Sequence, residues 1–175
     1  MFIRRIALSA AAVTATATVT AVGLGAAPAA AVNLDPSAFG LAATGPTVLS
    51  AQPAVDWNAG QPLAASASGI NAGPITAGPL AVAAGSGFAA AEVANLSIGP
   101  ISIMILSASC LDGLLQVSVR GAAAGVPLMP GRRVQLPGGY AQIGVVTRYP
   151  DGSAGIAGLV AVLGEQRITA AVARC

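Results

Sequence analysis

Ile101-Ser102-Ile103-Met104-Ile105-Leu106-Ser107-Ala108-Ser109-Cys110-Leu111-Asp112-Gly113-Leu114-Leu115-Gln116-Val117-Ser118-Val119-Arg120 is the stretch that decides the fold. Ile101, Ile103 and Ile105 alternate with Ser102 and Met104, the period-two pattern of a pleated strand. The run stays apolar as far as Cys110, as a central strand covered on most of both faces would. Asp112-Gly113 follows, and both residue types tolerate the positive φ of the tight turns whose twist matches that of two antiparallel strands. Leu115, Val117 and Val119 then alternate with Gln116, Ser118 and Arg120 on the return. The stretch is therefore predicted to be a β-hairpin whose first strand is apolar on most of both faces.

The same grammar extends outward. Val134-Gln135-Leu136 runs into Pro137-Gly138-Gly139, Tyr140–Arg148 runs into Pro150-Asp151-Gly152, and Gly155–Leu163 and Arg167–Cys175 flank Gly164-Glu165-Gln166. Proline presets φ and glycine admits positive φ, so these connections read as hairpin turns. Upstream, Phe39–Ala43, Thr47–Ser50, Leu63–Ser68 and Leu80–Ala84 are expected strands, although Ala and Gly specify register weakly. Ala89–Leu96 reads as a strand because Gly and Pro bracket it, with two helical turns as the alternative. Between Asn58 and Gly87, loose order is the alternative to strands. Short strands separated by turn residues at roughly eight- to twelve-residue intervals predict an all-β antiparallel domain, sandwich-like or barrel-like.

The first 31 residues have a different logic. Arg4-Arg5 precede an uncharged run from Ile6 to Leu24 and the small residues Gly25–Ala31, the order of a secretory signal. Ala29-Ala30-Ala31 predicts cleavage before Val32, with Ala27-x-Ala29 giving a start two residues earlier. A single exported domain spanning 32–175 is expected. Its Arg120, Arg132, Arg133, Arg148, Arg167 and Arg174 balance Asp35, Asp56, Glu92, Asp112, Asp151 and Glu165, so the formal +2 of the chain belongs to the leader. No basic footprint for nucleic acid remains. Pro and Gly interrupt the long uncharged stretch Trp57–Ala91, which excludes a spanning helix there. With no apolar tail after Cys175, the product is expected to be released or held non-covalently at the envelope. Cys110 and Cys175 lie in neither a CxxC nor a metal-ligand spacing, and in an exported chain they are expected to pair as one disulfide.

Leu106-Ser107-Ala108-Ser109-Cys110, Leu115-Gln116-Val117-Ser118-Val119-Arg120-Gly121, Val134-Gln135-Leu136-Pro137-Gly138 and Ile168-Thr169-Ala170-Ala171-Val172-Ala173-Arg174-Cys175, with Phe39-Gly40-Leu41 near the mature start, resemble the actinobacterial secreted domains called the choice-of-anchor P family. The resemblance covers most of Ser37–Cys175 in order, through short and permissive motifs. It implies a β-rich exported domain with its two cysteines paired, and it implies no activity. The chain departs from the pattern in having no anchoring tail and in Gly164-Glu165-Gln166, a poor match to the approach to the last strand.

The residue inventory closes most catalytic routes. Without His or Lys there is no Ser-His-Asp, Cys-His or Ser-Lys arrangement and no P-loop lysine. Asp112 and Asp151 are accounted for by turns, and the other carboxylates are far apart in sequence. Gly85-Ser86-Gly87-Phe88-Ala89-Ala90 has the spacing of a dinucleotide turn but lacks the acidic residue about twenty positions on, so a glycine turn between strands is the reading taken. Asn95-Leu96-Ser97 is read as a chance sequon. No cofactor and no metal site are expected. Binding is left, with Trp57, Tyr140 and Tyr149 as an aromatic contact surface and Arg132, Arg133 and Arg148 as anion contacts. The ordinary alternative places Trp57 over the core, the tyrosines on strands and the arginines at a solvated rim. The expected function is a non-enzymatic envelope or extracellular interaction domain with an unknown partner. The alternatives are a small β-barrel of a mycolate-type outer membrane and a carboxylate-dependent hydrolase.

Overall fold

The computed structural model describes residues 36–57 and 62–175; the expected export signal lies outside the described residues, as do residues 58–61. The described residues form strands and no helix. In chain order the strands are β1 (Ser37–Thr44), β2 (Leu49–Asp56), β3 (Leu63–Ala67), β4 (Ile70–Ala72), β5 (Ile75–Ala77), β6 (Leu80–Gly85), β7 (Phe88–Ile98), β8 (Ile101–Leu111), β9 (Leu114–Ala123), β10 (Val126–Pro127), β11 (Arg133–Leu136), β12 (Gly139–Arg148), β13 (Ala154–Leu163) and β14 (Gln166–Arg174). Ala89–Leu96 lies within β7, and strands occupy much of the stretch between Leu63 and Gly85.

Two antiparallel sheets pack face to face. The first runs β11-β12-β13-β14-β1-β2. The second runs β10-β9-β8-β7, and beyond β7 the β5–β4 and β6–β3 pairs share the same flank. Strand β14 of the first sheet lies against β7 and β8 of the second. The space between them is filled by fully buried aliphatic side chains, among them Leu41, Leu80, Leu96, Ile103, Leu106 and Ile168. Cys110, at the end of β8, is bonded to Cys175, just past β14, with their Cα atoms 5.9 Å apart. The expected disulfide therefore joins the two sheets.

A crease crosses the first sheet. Along β12, β13, β14 and β1 the core residues on one side of it are Ala141, Ile143, Leu159, Ala161, Ile168, Ala170, Leu41 and Ala43; on the other they are Ile156, Ala171, Ala173 and Ala38. The inward parity thus switches on each of β13, β14 and β1, while the strand pairing keeps one register on both sides. The switch falls on Gly144, Gly158, Ala171 and Gly40, with φ near +71° at Gly144 and +51° at Ala171. Small residues are required there, because a Cβ at Gly158 would sit 3.1 Å from Leu106 Cδ1 in the facing sheet.

The second sheet is creased where Gly78 and Asn95 meet. On β7 the core residues pass from Ala89, Ala91 and Val93 to Leu96 and Ile98. On β8 the crease coincides with a bulge against β9 between Ile103 and Ile105. This corrects the simple alternation expected for Ile101-Ile103-Ile105. The bulge leaves Met104 and Ile105 both outside, and the core phase resumes at Leu106, Ala108 and Cys110.

Candidate functional site

The expected contact residues fall into two groups separated along β12. Tyr140 and Tyr149 are nine residues apart on an extended path, about 30 Å. At the Tyr140 end, Arg133 and Tyr140 lie diagonally across the β11–β12 pair, and the Arg133 guanidinium stacks 3.4 Å from the Tyr140 ring centroid. Arg132, one residue earlier, is exposed, and its carbonyl accepts from Ile143 N at 3.3 Å. This end presents one stacked pair on the outer surface of the first sheet.

The other end gathers more. Successive pairings place Trp57 beside Pro36 through a 2.9 Å backbone bond, Cys175 beside Ala154 through two 3.0 Å bonds, and Ala154 opposite Arg148. With strands about 4.8 Å apart, Trp57 and Arg148 stand about 20 Å from each other along one sheet end. The disulfide brings Cys110 of the second sheet to the same end, so the neighbouring Leu111, exposed on the outer face and paired with Phe88, belongs to it as well. Trp57 is half-buried against the core, and Arg148 is exposed.

Tyr149 is held by a clasp that sequence reasoning did not find. Arg174, only 7 % exposed, places its guanidinium 4.1 Å from the Tyr149 ring centroid, forms an ion pair with Asp151, and donates from Nε to Ser153 Oγ at 2.9 Å. Asp151 also accepts from Ser153 Oγ at 2.6 Å and Ser153 N at 2.9 Å. The turn explanation of Asp151 was thus half of its role. The signal in the sequence was Asp151-x-Ser153 in a turn facing the only arginine beside a cysteine. Gln166, next to the Gly164-Glu165 turn, likewise does more than close it. Its buried amide donates to Thr44 O and Thr47 O, both at 2.9 Å, and accepts from Thr47 N at 2.8 Å, fastening the β1–β2 loop to β14.

Ser153's hydroxyl and backbone N–H, and then the Arg174 charge, hold the Asp151 carboxyl below its ordinary 3.8. A carboxylate favoured in the folded state stabilises the fold above the unfolded value, and that contribution is lost as pH falls through the lowered one. Asp151→Asn is therefore expected to lower the melting temperature at pH 7. The gap to the unmodified protein should narrow below about pH 4, in melts followed by circular dichroism across that range. A gap that stays constant with pH would remove the ion pair from the account.

Among the described residues the other carboxylates lie on different elements: Glu92 on the outer face of β7, Glu165 in the β13–β14 turn, Asp112 in the β8–β9 turn and Asp56 at the end of β2. The depressions described on the surface are shallow, one beside Ala42, Thr44 and Arg167, the other beside Ser66, Pro79 and Glu92. No family model, no curated protein and no solved structure matches the chain.

Proposed function

We propose that the chain is a non-enzymatic exported domain of the cell envelope or extracellular space that works by surface contact, through the end of the sandwich carrying the disulfide. The observation that carries this reading is the convergence there of Trp57, Arg148, Leu111 and the Tyr149–Arg174 stack, on strand ends tied together by Cys110–Cys175. Aromatic, arginine and leucine side chains at or just past the ends of paired strands supply contact area from an ordered backbone. The balanced charge of residues 32–175 gives little long-range steering, which suits a partner held by close contact. The export reading draws on the leader-like first 31 residues and on the choice-of-anchor P resemblance. Against a membrane barrel, the outer face of the second sheet carries Ser66, Glu92, Ser107 and Ser118 among its exposed aliphatic side chains.

The test combines location with capture. Intact mass of the product released or retained at the envelope should correspond to a start at Val32. Crosslinking capture from envelopes should fall about tenfold for Arg148→Glu and for Trp57→Ala, each checked for native circular dichroism, and stay unchanged for Arg133→Ala at the other end. Equal capture by all three variants rules out this end of the molecule. Turnover of an ester, glycoside or peptide substrate, abolished by replacing Glu92 or Glu165, would overturn the non-enzymatic reading.

A further inference from the structure

Two arginines stand on the outer face of the first sheet with no carboxylate beside them on that face. Between the crease and the turns at Gly138 and Gly164, alternate residues of β12, β13, β14 and β1 fill the core, so the residues between them point outward. Register aligns Tyr140, Val162, Arg167 and Thr44 in one outward row. Arg133, Gln142 and Thr169 stand in the next row. None of the outward residues here is Asp or Glu. Glu165 precedes Arg167 in the β13–β14 turn, yet Asp151–Arg174 is the one ion pair among the described residues. The balanced charge of the domain therefore conceals a local excess of positive charge.

The two guanidiniums are set up differently. Arg133 lies flat on Tyr140, 3.4 Å from the ring centroid, which uses one face of the guanidinium and leaves its N–H edge without an acceptor. Arg167 is exposed and borders a shallow depression of about 100 Å³ lined by Ala42, Thr44 and Thr169. From Tyr140 on β12 to Arg167 on β14 is two strand spacings, about 10 Å, roughly the length of a disaccharide. A planar guanidinium fork takes an acid group edge-on through paired hydrogen bonds. Strands β12, β13 and β14 are paired on both sides at these rows, so an acidic peptide would find no free main-chain groups to bind.

We propose that this face binds an acidic polysaccharide, laid across the strands with one acid group on Arg133 and another on Arg167. The side-chain amide of Gln142 and the hydroxyls of Thr169 and Thr44 can each donate and accept, which matches the hydroxyls that sugar rings present along their length. Val162, half-buried between the two arginines, offers an apolar floor for a ring. The site is separate from the disulfide end and does not rest on the contact surface proposed there.

The test uses the exported domain with purified glycans, so its outcome is independent of any partner at the disulfide end. Surface plasmon resonance over immobilised polygalacturonate should show binding that falls as salt is raised and weakens about tenfold for Arg133→Ala and for Arg167→Ala. Arg148→Ala, which removes the same charge at the other end, should leave it unchanged. Both target arginines are exposed, so each variant should keep native circular dichroism. Dextran sulfate run in parallel identifies the acid group that the arginines hold, as the polymer bound more tightly. Failure to bind either polymer, equal binding of neutral dextran or of polyglutamate, or binding that neither arginine variant weakens would each overturn the proposal.

Discussion

Cys110→Ser should lower the melting temperature by about 5 to 15 °C, because the bond it removes closes a long loop and also spans the two sheets. The cysteines are 65 residues apart in sequence, and on the chain-entropy account closing such a loop restricts the unfolded state by about 4 kcal/mol. The loss should be about 2 to 4 kcal/mol once native strain and residual structure in the unfolded chain are allowed for. Cys110 is 1 % exposed, so the variant also buries a hydroxyl where a sulfur was. Cys175→Ser, at a half-buried terminus, should cost slightly less. Thermal melts of both variants, with and without reductant, check this: reductant should bring the unmodified protein down to the variants and leave the variants where they are. A melting temperature unchanged by either substitution would mean that packing alone holds the sheet ends together.

Leu106→Ala should destabilise the domain by about 3 to 5 kcal/mol, the range for a fully buried leucine whose neighbours cannot close the cavity. Leu106 is fully buried and reaches from β8 across to the crease of the facing sheet. Gly158→Ala should cost about 1 to 3 kcal/mol from the opposite cause, a methyl group pressed 3.1 Å from Leu106 Cδ1. Together they should cost less than the two losses added, because the new methyl enters space that the missing leucine vacates. Denaturant titrations of the two single variants and the double variant give this coupling directly. Additive losses would show that the sheets do not interdigitate at this point.

Local chemistry made much of the fold legible. The Asp112-Gly113 hairpin, the turns at Pro137-Gly138 and Gly164-Glu165 and the strand character of β7 follow from residues a few positions apart, and the structure contains them. Ile105 was misjudged because nothing in an Ile-Met-Ile run marks the residue where a neighbouring strand forces a bulge. The short β4, β5 and β10 were missed because two or three residues between Gly and Pro are too few to show a period, and β2 beyond Ser50 because Ala and Pro carry little strand preference. The candidate site was legible as residue types and not as a place. Tyr140 and Tyr149 looked equivalent, yet they end up at opposite ends of one strand, and Arg174 joins Tyr149 only because β13 and β14 pair in the register that they do.

The creases bear on how so uninformative a sequence can have one native pairing. In a uniform strand of alanine and glycine, a slip of two residues restores the same facing pattern and costs little, which makes neighbouring alignments nearly degenerate. A parity switch on β13, β14 and β1 removes that degeneracy. If β14 slid by two positions, Ala171 would no longer lie level with Gly158 and Gly40, and between the displaced and undisplaced switch points inward residues would stand beside outward ones. The switch points act as a key cut once across these neighbouring strands: one that is misaligned must bury backbone kinks against side chains or expose part of its core. Alignment that other β-proteins secure with bulky cross-strand partners is here secured by geometry, in a chain with 22 glycines and 3 % aromatic residues.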